Sequence, residues 1–181
     1  VAALLHDVGE VVHTRGHHKH SEYMIRWGRI PGLDGPAREI VALLARCHRK
    51  PAADARRLIA DAALPKDQRV TVRRLLALLR LADGLDSGHR QRFVDLVASR
   101  SGPAVVLDLV TGAHTAGPID LTELLRKRDL FEEEFGCTLQ LTVGRGAPAS
   151  ESRELRAITE PPGGGGEGGS ATPRSLGRRL V

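Results

Sequence analysis

The sequence predicts a mainly α chain completed by a small α+β part of β-α-β form and a disordered tail, on three observations. Apolar residues recur at helical spacing as far as about residue 86. A strand-like run, a capped helical stretch and an alternating strand then follow one another before residue 144. From about Arg145 the chain turns to Gly, Pro, Ser and Arg, including the run Gly163 to Gly166, and cannot offset its ordering entropy with burial. The expected division is a helical domain over 1–100, a β-α-β subdomain over 101–144 and a disordered Gly/Pro/Arg-rich tail over 145–181.

The first element opens without a cap, because Ala2, Ala3, Leu4 and Leu5 are core-like at once, and Gly9 is its expected terminator. A chain that starts on Val1 in this way reads as a fragment of a larger protein whose preceding part is missing. His13 to Lys19 is a polar connection, and Ser21 offers a cap for a helix carrying Tyr23, Met24 and Trp27 that Gly28 and Pro31 end. Asp34 and Pro36 open the next helix, with Ile40, Leu43, Leu44 and Cys47 at helical spacing before Pro51. An alanine-rich helix covers about Asp54 to Ala63. The clearest one runs from about Asp67 to Asp86, with Val72, Leu75, Leu76, Leu79 and Ala82 on one face.

After a basic stretch, His89 to Arg92, the run Val105 to Val110 is strand-like and is bounded by Gly112 and Gly117. Asp120 and Glu123 form a capping-box pair for a helix holding Leu124, Leu125, Leu130, Phe131 and Phe135, which Gly136 closes. Leu139, Leu141 and Val143 alternate as a strand does.

The 181 residues, 41% hydrophobic and only 3% aromatic, provide for one ordinary core and a small satellite, as in a soluble globular chain. No apolar run approaches the roughly 20 residues of a bilayer span, and no secretory signal is evident, so a cytoplasmic location without membrane contact is expected. The net charge of +5 is too mild to indicate nucleic-acid binding. Cys47 and Cys137 lie far apart and make no CxxC pattern, which predicts two reduced, packed thiols.

The informative positions are polar residues where apolar ones belong. Asp83 lies one turn beyond Leu79 on the buried face of its helix, so it needs a metal or a fixed His or Arg beside it. His48 stands one turn after Leu44 in the same kind of setting, where a histidine is also commonly a satisfied core residue. His6 and Asp7 are adjacent, about 100° apart on a helix, and are the mixed nitrogen and oxygen donors that suit Mn, Fe, Mg or Zn. His17, His18, Lys19 and His20 form a dense basic run before a helix, which reads either as a phosphate contact or as a solvated loop.

Four segments in order, Leu4-Leu5-His6-Asp7-Val8-Gly9, Gly16-His17-His18-Lys19-His20-Ser21, His48-Arg49-Lys50 and Leu79 to Asp86, resemble the HD superfamily. They resemble most closely the C-terminal HD-type domain of the Ppx/GppA phosphatases, and Arg126 to Gly136 is similar to the helix that follows there. The likeness covers about Ala2 to Val143. It implies that His6, Asp7, His20, His48 and Asp83 stand where HD proteins have metal ligands, with the first histidine of that pattern upstream of Val1. Glu10 occupies a position where many HD hydrolases have lysine.

The resemblance also implies hydrolysis of phosphoanhydrides in inorganic polyphosphate or guanosine pentaphosphate by a homodimer. In that family the phosphoryl chemistry belongs to an N-terminal pair of actin-like domains with a Mg ion, so no catalytic residue is assigned within this chain. His18, Lys19, Arg49, Lys50, Arg80 and Arg90 are the candidates for binding the phosphate chain. Two alternatives stay open: a self-contained HD metal phosphohydrolase acting on a nucleotide, and a non-catalytic module that senses polyphosphate or a nucleotide.

Overall fold

The computed structural model describes residues 1–113, 115 and 117–145. Its helices are α1 (Ala2–Leu5), α2 (His17–Trp27), α3 (Gly35–Cys47), α4 (Ala52–Asp61) and α5 (Lys66–Leu85), with a 3-10 turn, Val8–Val11, between the first two. Strands β1 (Phe93–Ser101) and β2 (Ala104–Thr111) follow, then α6 (Thr122–Lys127), α7 (Asp129–Phe135) and β3 (Thr138–Arg145). The protein is mainly α with a small α+β part. The predicted tail lies outside the described residues, apart from Arg145 at the end of β3.

α5 is the axis of the core. Val72, Leu76, Leu79, Ala77 and Leu81 are all buried on it, because α3 and α4 pack on one side and α6 and α7 on the other. The apolar face expected from the sequence is therefore shifted: Leu75 is 42% exposed, and Ala82 faces solvent too. Asp83 falls within the buried arc, close in angle to Val72 and Leu76, as a 3.6-residue period requires.

β1 and β2 form an antiparallel hairpin, and β2 runs parallel to β3 with Leu107 opposite Leu141. The parallel pair needs a crossover, which α6 and α7 supply. This is the predicted β-α-β unit, with the helix divided at Arg128. The expected capping box does not form: Leu121 is the cap position of α6, Asp120 Oδ1 accepts the Thr122 N–H at 2.9 Å from one residue earlier, and the Glu123 carboxylate turns to Arg126. Gly136 closes α7 with a left-handed φ of 58°.

β1 is the element that sequence reading missed. It is an edge strand with every residue exposed except the half-buried Phe93, so it lacks the alternation that burial imposes on strands with an inward face. Arg100, where the sequence sets the domain division, lies inside β1. One cluster of buried residues joins Leu43, Leu44 and Ile59 of the helical part to Leu107, Leu124, Leu130 and Leu139 of the β-α-β part. A smaller cluster gathers Ile25, Leu33, Val41, Ala42 and Ala45. Cys47 and Cys137 are both free and buried, and burial pushes the Cys47 thiol up to about 12.

Two glycines decide how closely elements approach. A Cβ on Gly9 would stand 2.3 Å from the His17 carbonyl oxygen and 2.4 Å from the Ser21 nitrogen, so only glycine lets the 3-10 turn lie on the first turn of α2. The Gly9 N–H then donates to Ser21 Oγ at 2.9 Å. Gly9 is thus a packing residue, and Ser21 is spent on it rather than on capping. α2 opens four residues earlier, at His17, after Gly16 has turned the chain with φ 81°. Its buried residues are His17, Ser21 and Ile25, one turn apart, while Tyr23 and Trp27 face outward at 66% and 71% exposure. Gly84 plays the same part on α5, where a Cβ would come within 2.8 Å of Leu124 Cα.

Candidate functional site

Three chain segments deliver imidazoles to one carboxylate. His6 and Asp7 occupy the link between α1 and the 3-10 turn, His17 is the first residue of α2, and His48 follows the last turn of α3. Around Asp7, His17 Nε2 is 3.0 Å and His48 Nε2 3.2 Å from Oδ1, and His6 Nε2 is 3.1 Å from Oδ2. The His17 and His48 rings stack with centroids 5.3 Å apart, and His6 meets His48 edge-on at 5.0 Å.

The outer nitrogen of each ring fixes its tautomer. Nδ1 of His6, His17 and His48 lies 2.9, 3.0 and 2.7 Å from the carbonyl oxygens of Ala3, Thr14 and Ala45. A carbonyl only accepts, so each Nδ1 carries a proton, and a ring with that proton alone presents a bare Nε2 lone pair. Those lone pairs converge on an anion and on one another, with 3.3 Å between the Nε2 atoms of His17 and His48. Asp7 Oδ1 is buried and lacks a hydrogen-bond donor. Donors facing donors with nothing positive between them are mutually repulsive, and a cation relieves the repulsion.

With no cation in the cluster, an imidazole that takes a second proton at Nε2 donates it to Asp7, and the electrostatics reflect that pairing. Burial works to raise the Asp7 carboxyl, but its contacts with His48 and His6 outweigh burial and hold it well below the usual carboxylate range. The Asp7 hydrogen bond raises His6 against the opposing effect of burial. Among the described residues, donor atoms of His6, Asp7 and His48 lie within 4.8 Å of one another, as do those of Asp7, Glu10 and His17. Imidazole with carboxylate is a donor set that suits Mn, Fe or Zn.

Asp83 stands at the edge of this cluster. Its Oδ1 is 3.9 Å from His6 Nε2, and its Oδ2 pairs with the ammonium of Lys127 from α6. A histidine and a lysine thus attend the buried carboxylate for which the sequence reading sought a metal or a fixed His or Arg. Asp7, Glu10, His17, Asp83 and Lys127 line a cleft of about 330 Å³ together with Arg49, Ser87, His89 and Glu123.

Of the expected ligands, His6, Asp7 and His48 come together, with Asp83 beside them. His20 does not: it is half-buried with its Cβ close to Gly9, and His17 brings the third imidazole. The spacing His17, Ser21, Ile25 carried that signal, since it marks the inward face of α2. Lys127 was also missed, although it lies three residues after the buried Leu124 on a helix that Gly84 admits.

The expected phosphate-binding residues separate. Arg49 is exposed and lines the cleft. Lys19 is exposed, Lys50 is half-buried, and Arg90 faces a different hollow beside Asp86, Gly88 and Phe93. Burial, with help from Arg46 and Lys50, lowers His18 to about 4, so it is neutral near pH 7 and brings no charge to an anion. Arg80 is only 2% exposed and braces the fold, its guanidinium on Asp129 at 2.9 Å and on the Lys50 carbonyl.

Fold and site together define a helical His/Asp domain whose cleft mixes carboxylates, imidazoles and two cations, joined through a common core to a β-α-β segment. Residues 1–102 match the family model for Ppx/GppA phosphatase, domain III, and the chain belongs to that family. No curated protein matches the chain. The family is one of phosphatases, and membership accounts for the order of the His, Asp and basic segments. Lys127 lies beyond the matched residues.

Proposed function

We propose that this chain is the substrate-binding and dimer-forming part of a phosphatase that hydrolyses phosphoanhydride bonds of inorganic polyphosphate or guanosine pentaphosphate. The observation that carries the reading is the match of residues 1–102 to Ppx/GppA phosphatase, domain III, with the exposed Arg49 on a cleft that also holds Asp7, Glu10, Asp83 and Glu123. A divalent ion held on the Asp7 cluster would turn that part of the cleft positive, and with the exposed Arg49 it would favour a chain of phosphates over neutral or cationic ligands. In hydrolysis water adds to phosphorus and the bridging oxygen leaves with the departing phosphate. That step is assigned to actin-like domains with their own Mg ion, while this chain holds the substrate.

The donor chemistry of the cluster fits a divalent ion, which His6, Asp7, His17 and His48 would hold. Such an ion supplies positive charge for phosphate oxygens and lowers the pKa of a bound water. The residues of the chain do the rest: the Ala3, Thr14 and Ala45 carbonyls aim the three rings, and Arg49 meets the anion at the cleft mouth. Among the described residues no helix is long and apolar enough to cross a membrane.

Arg49 provides the test, because it is exposed and its replacement leaves the core alone. In the intact protein, Arg49→Glu should weaken binding of medium-chain polyphosphate about tenfold or more, the worth of one charge-assisted contact. Undiminished affinity in a folded variant would sink the reading. Light scattering of the intact protein tests the homodimer, and a monomer at micromolar concentration contradicts it.

The convergence of bare Nε2 atoms also favours a second reading, a self-contained metal phosphohydrolase acting on a nucleotide. Turnover of a nucleotide that survives inactivation of the actin-like domains and disappears with His48→Ala would put this reading first.

A further inference from the structure

Asp83 is a carboxylate placed to serve the cluster and already engaged elsewhere. Its Oδ1 faces His6 Nε2 at 3.9 Å, while its Oδ2 holds the ammonium of Lys127, which is only 3% exposed. The geometry points to Lys127 as a built-in cation that withholds Asp83 from metal ligation, so that the cluster takes one divalent ion on His6, Asp7, His17 and His48. This inference rests on the reading of that cluster as a metal centre and adds the residue that sets its ligand count.

The competition between ammonium and metal favours the ammonium. A free ion must arrive from solution, whereas Lys127 is delivered by α6, and α6 is held against α5 by the close approach at Gly84. Were Asp83 to turn to a metal, Lys127 would be left buried without its counter-charge, desolvated and unpaired. Of the other carboxylates that line the cleft, Glu123 is engaged by Arg126 at 2.6 Å and Asp7 by the three imidazoles. A divalent ion close to Asp83 would also face the repulsion of a fixed ammonium. Lys127 is therefore a positioning residue. It acts on the metal through Asp83.

Cobalt(II) titration of the intact protein, followed by ligand-field absorption, tests this, with His48→Ala assigning the signal to the cluster. Asp83→Asn alone should change the affinity by less than about threefold, the behaviour of a residue outside the ligand set. Lys127→Met should tighten binding by about tenfold or more, as Asp83 becomes available, and adding Asp83→Asn to it should abolish the gain. Lys127→Arg, which keeps the charge, should bind as the unaltered protein does. A loss of about tenfold or more in Asp83→Asn alone overturns the inference and leaves the metal centre standing. A folded Lys127→Met variant with unchanged or weaker binding overturns it too. If Lys127→Met does not fold without metal, the Asp83→Asn and Lys127→Arg titrations decide. A cobalt signal that His48→Ala does not alter removes the metal centre itself.

Discussion

Asp7 and Asp83 are carboxylates of one cleft, each drawn into the protein by its neighbours, and the chain treats them in opposite ways. Asp7 is met by three imidazoles whose protons point outward to carbonyls, so its charge is left for something else to balance. Asp83 is met by Lys127, and its charge is balanced from within. Neutral donors around an anion make a receptor for a cation; an ammonium on an anion makes a brace. In the reading proposed above, one site is kept at a cost so that it can bind, and the other is completed so that it holds α6 to α5.

The largest expected effect comes from unbalancing the completed site. Removing one partner of a buried ion pair leaves a desolvated charge, so Lys127→Met should lose about 3 kcal/mol in urea unfolding without metal. The Asp83→Asn, Lys127→Met double variant should recover a good part of that, because both charges are then gone. Equal losses in the single and double variants would mean that Lys127 contributes packing rather than charge. Saturating cobalt(II) should restabilise Lys127→Met more than the unaltered protein, since ligand-linked stabilisation follows affinity.

The glycines sharpen the comparison by loosening one side at a time. Gly9→Ala drives a Cβ into the backbone of α2 and should cost about 2–3 kcal/mol, with cobalt affinity falling because His17 is pushed off Asp7. Gly84→Ala meets Leu124 Cα, a contact only slightly less severe, but alanine returns up to about 1 kcal/mol of helix propensity. Its net loss should be about 1–2 kcal/mol, with cobalt binding unharmed. Thermal melting and the same titration check both. If Gly84→Ala abolishes cobalt binding while Gly9→Ala spares it, the division of labour between the two sides is wrong. Ser21→Ala should cost about 1–2 kcal/mol, because it orphans the buried Gly9 N–H.

Why some of this was legible in the sequence, and some not, follows from the range of the interactions. Helices were legible wherever an apolar stripe and local punctuation coincide: Asp34 with Pro36 opens α3, and Gly136 closes α7. Asp83 and His48 stood out because a charge or an imidazole on an apolar stripe demands an explanation from its own helix. β1 left no trace, because an edge strand with both faces wet carries no burial pattern. His17 was hidden by its neighbours, since four basic residues in a row read as a solvated loop until the αL turn at Gly16 and the contact at Gly9 orient the helix. Arg80 and Lys127 show the limit most plainly. Both are cations on helices, and only the tertiary approach of α5 to α7 and to α6, with residues about 50 apart, decides that Arg80 braces Asp129 and Lys127 meets Asp83.

The smallest effect isolates what burial adds, because α6 carries two cations side by side. Lys127 is sunk onto Asp83, and Arg126 lies at the rim on Glu123 at 2.6 Å, both side chains well exposed. The Arg126 hydrogen bond, opposed by slight burial, lowers the Glu123 carboxyl below its usual value of 4.5. A depressed carboxylate stabilises the fold above its unfolded pKa, and the contribution disappears as pH falls through the lowered folded value. For an exposed pair that contribution is screened to about 0.3 kcal/mol, so Glu123→Gln should lower the melting temperature by only about 1–2 °C at pH 7. The difference should vanish once the pH has fallen below the lowered folded value, where both forms are neutral, and also in about 1 M salt, where the Debye length shrinks to about 3 Å. Lys127→Met should keep its deficit in that same salt, because solvent ions do not reach a buried pair. Should salt erase both deficits alike, Lys127 is far wetter than its burial indicates, and the contrast between a receptor and a brace loses its physical basis.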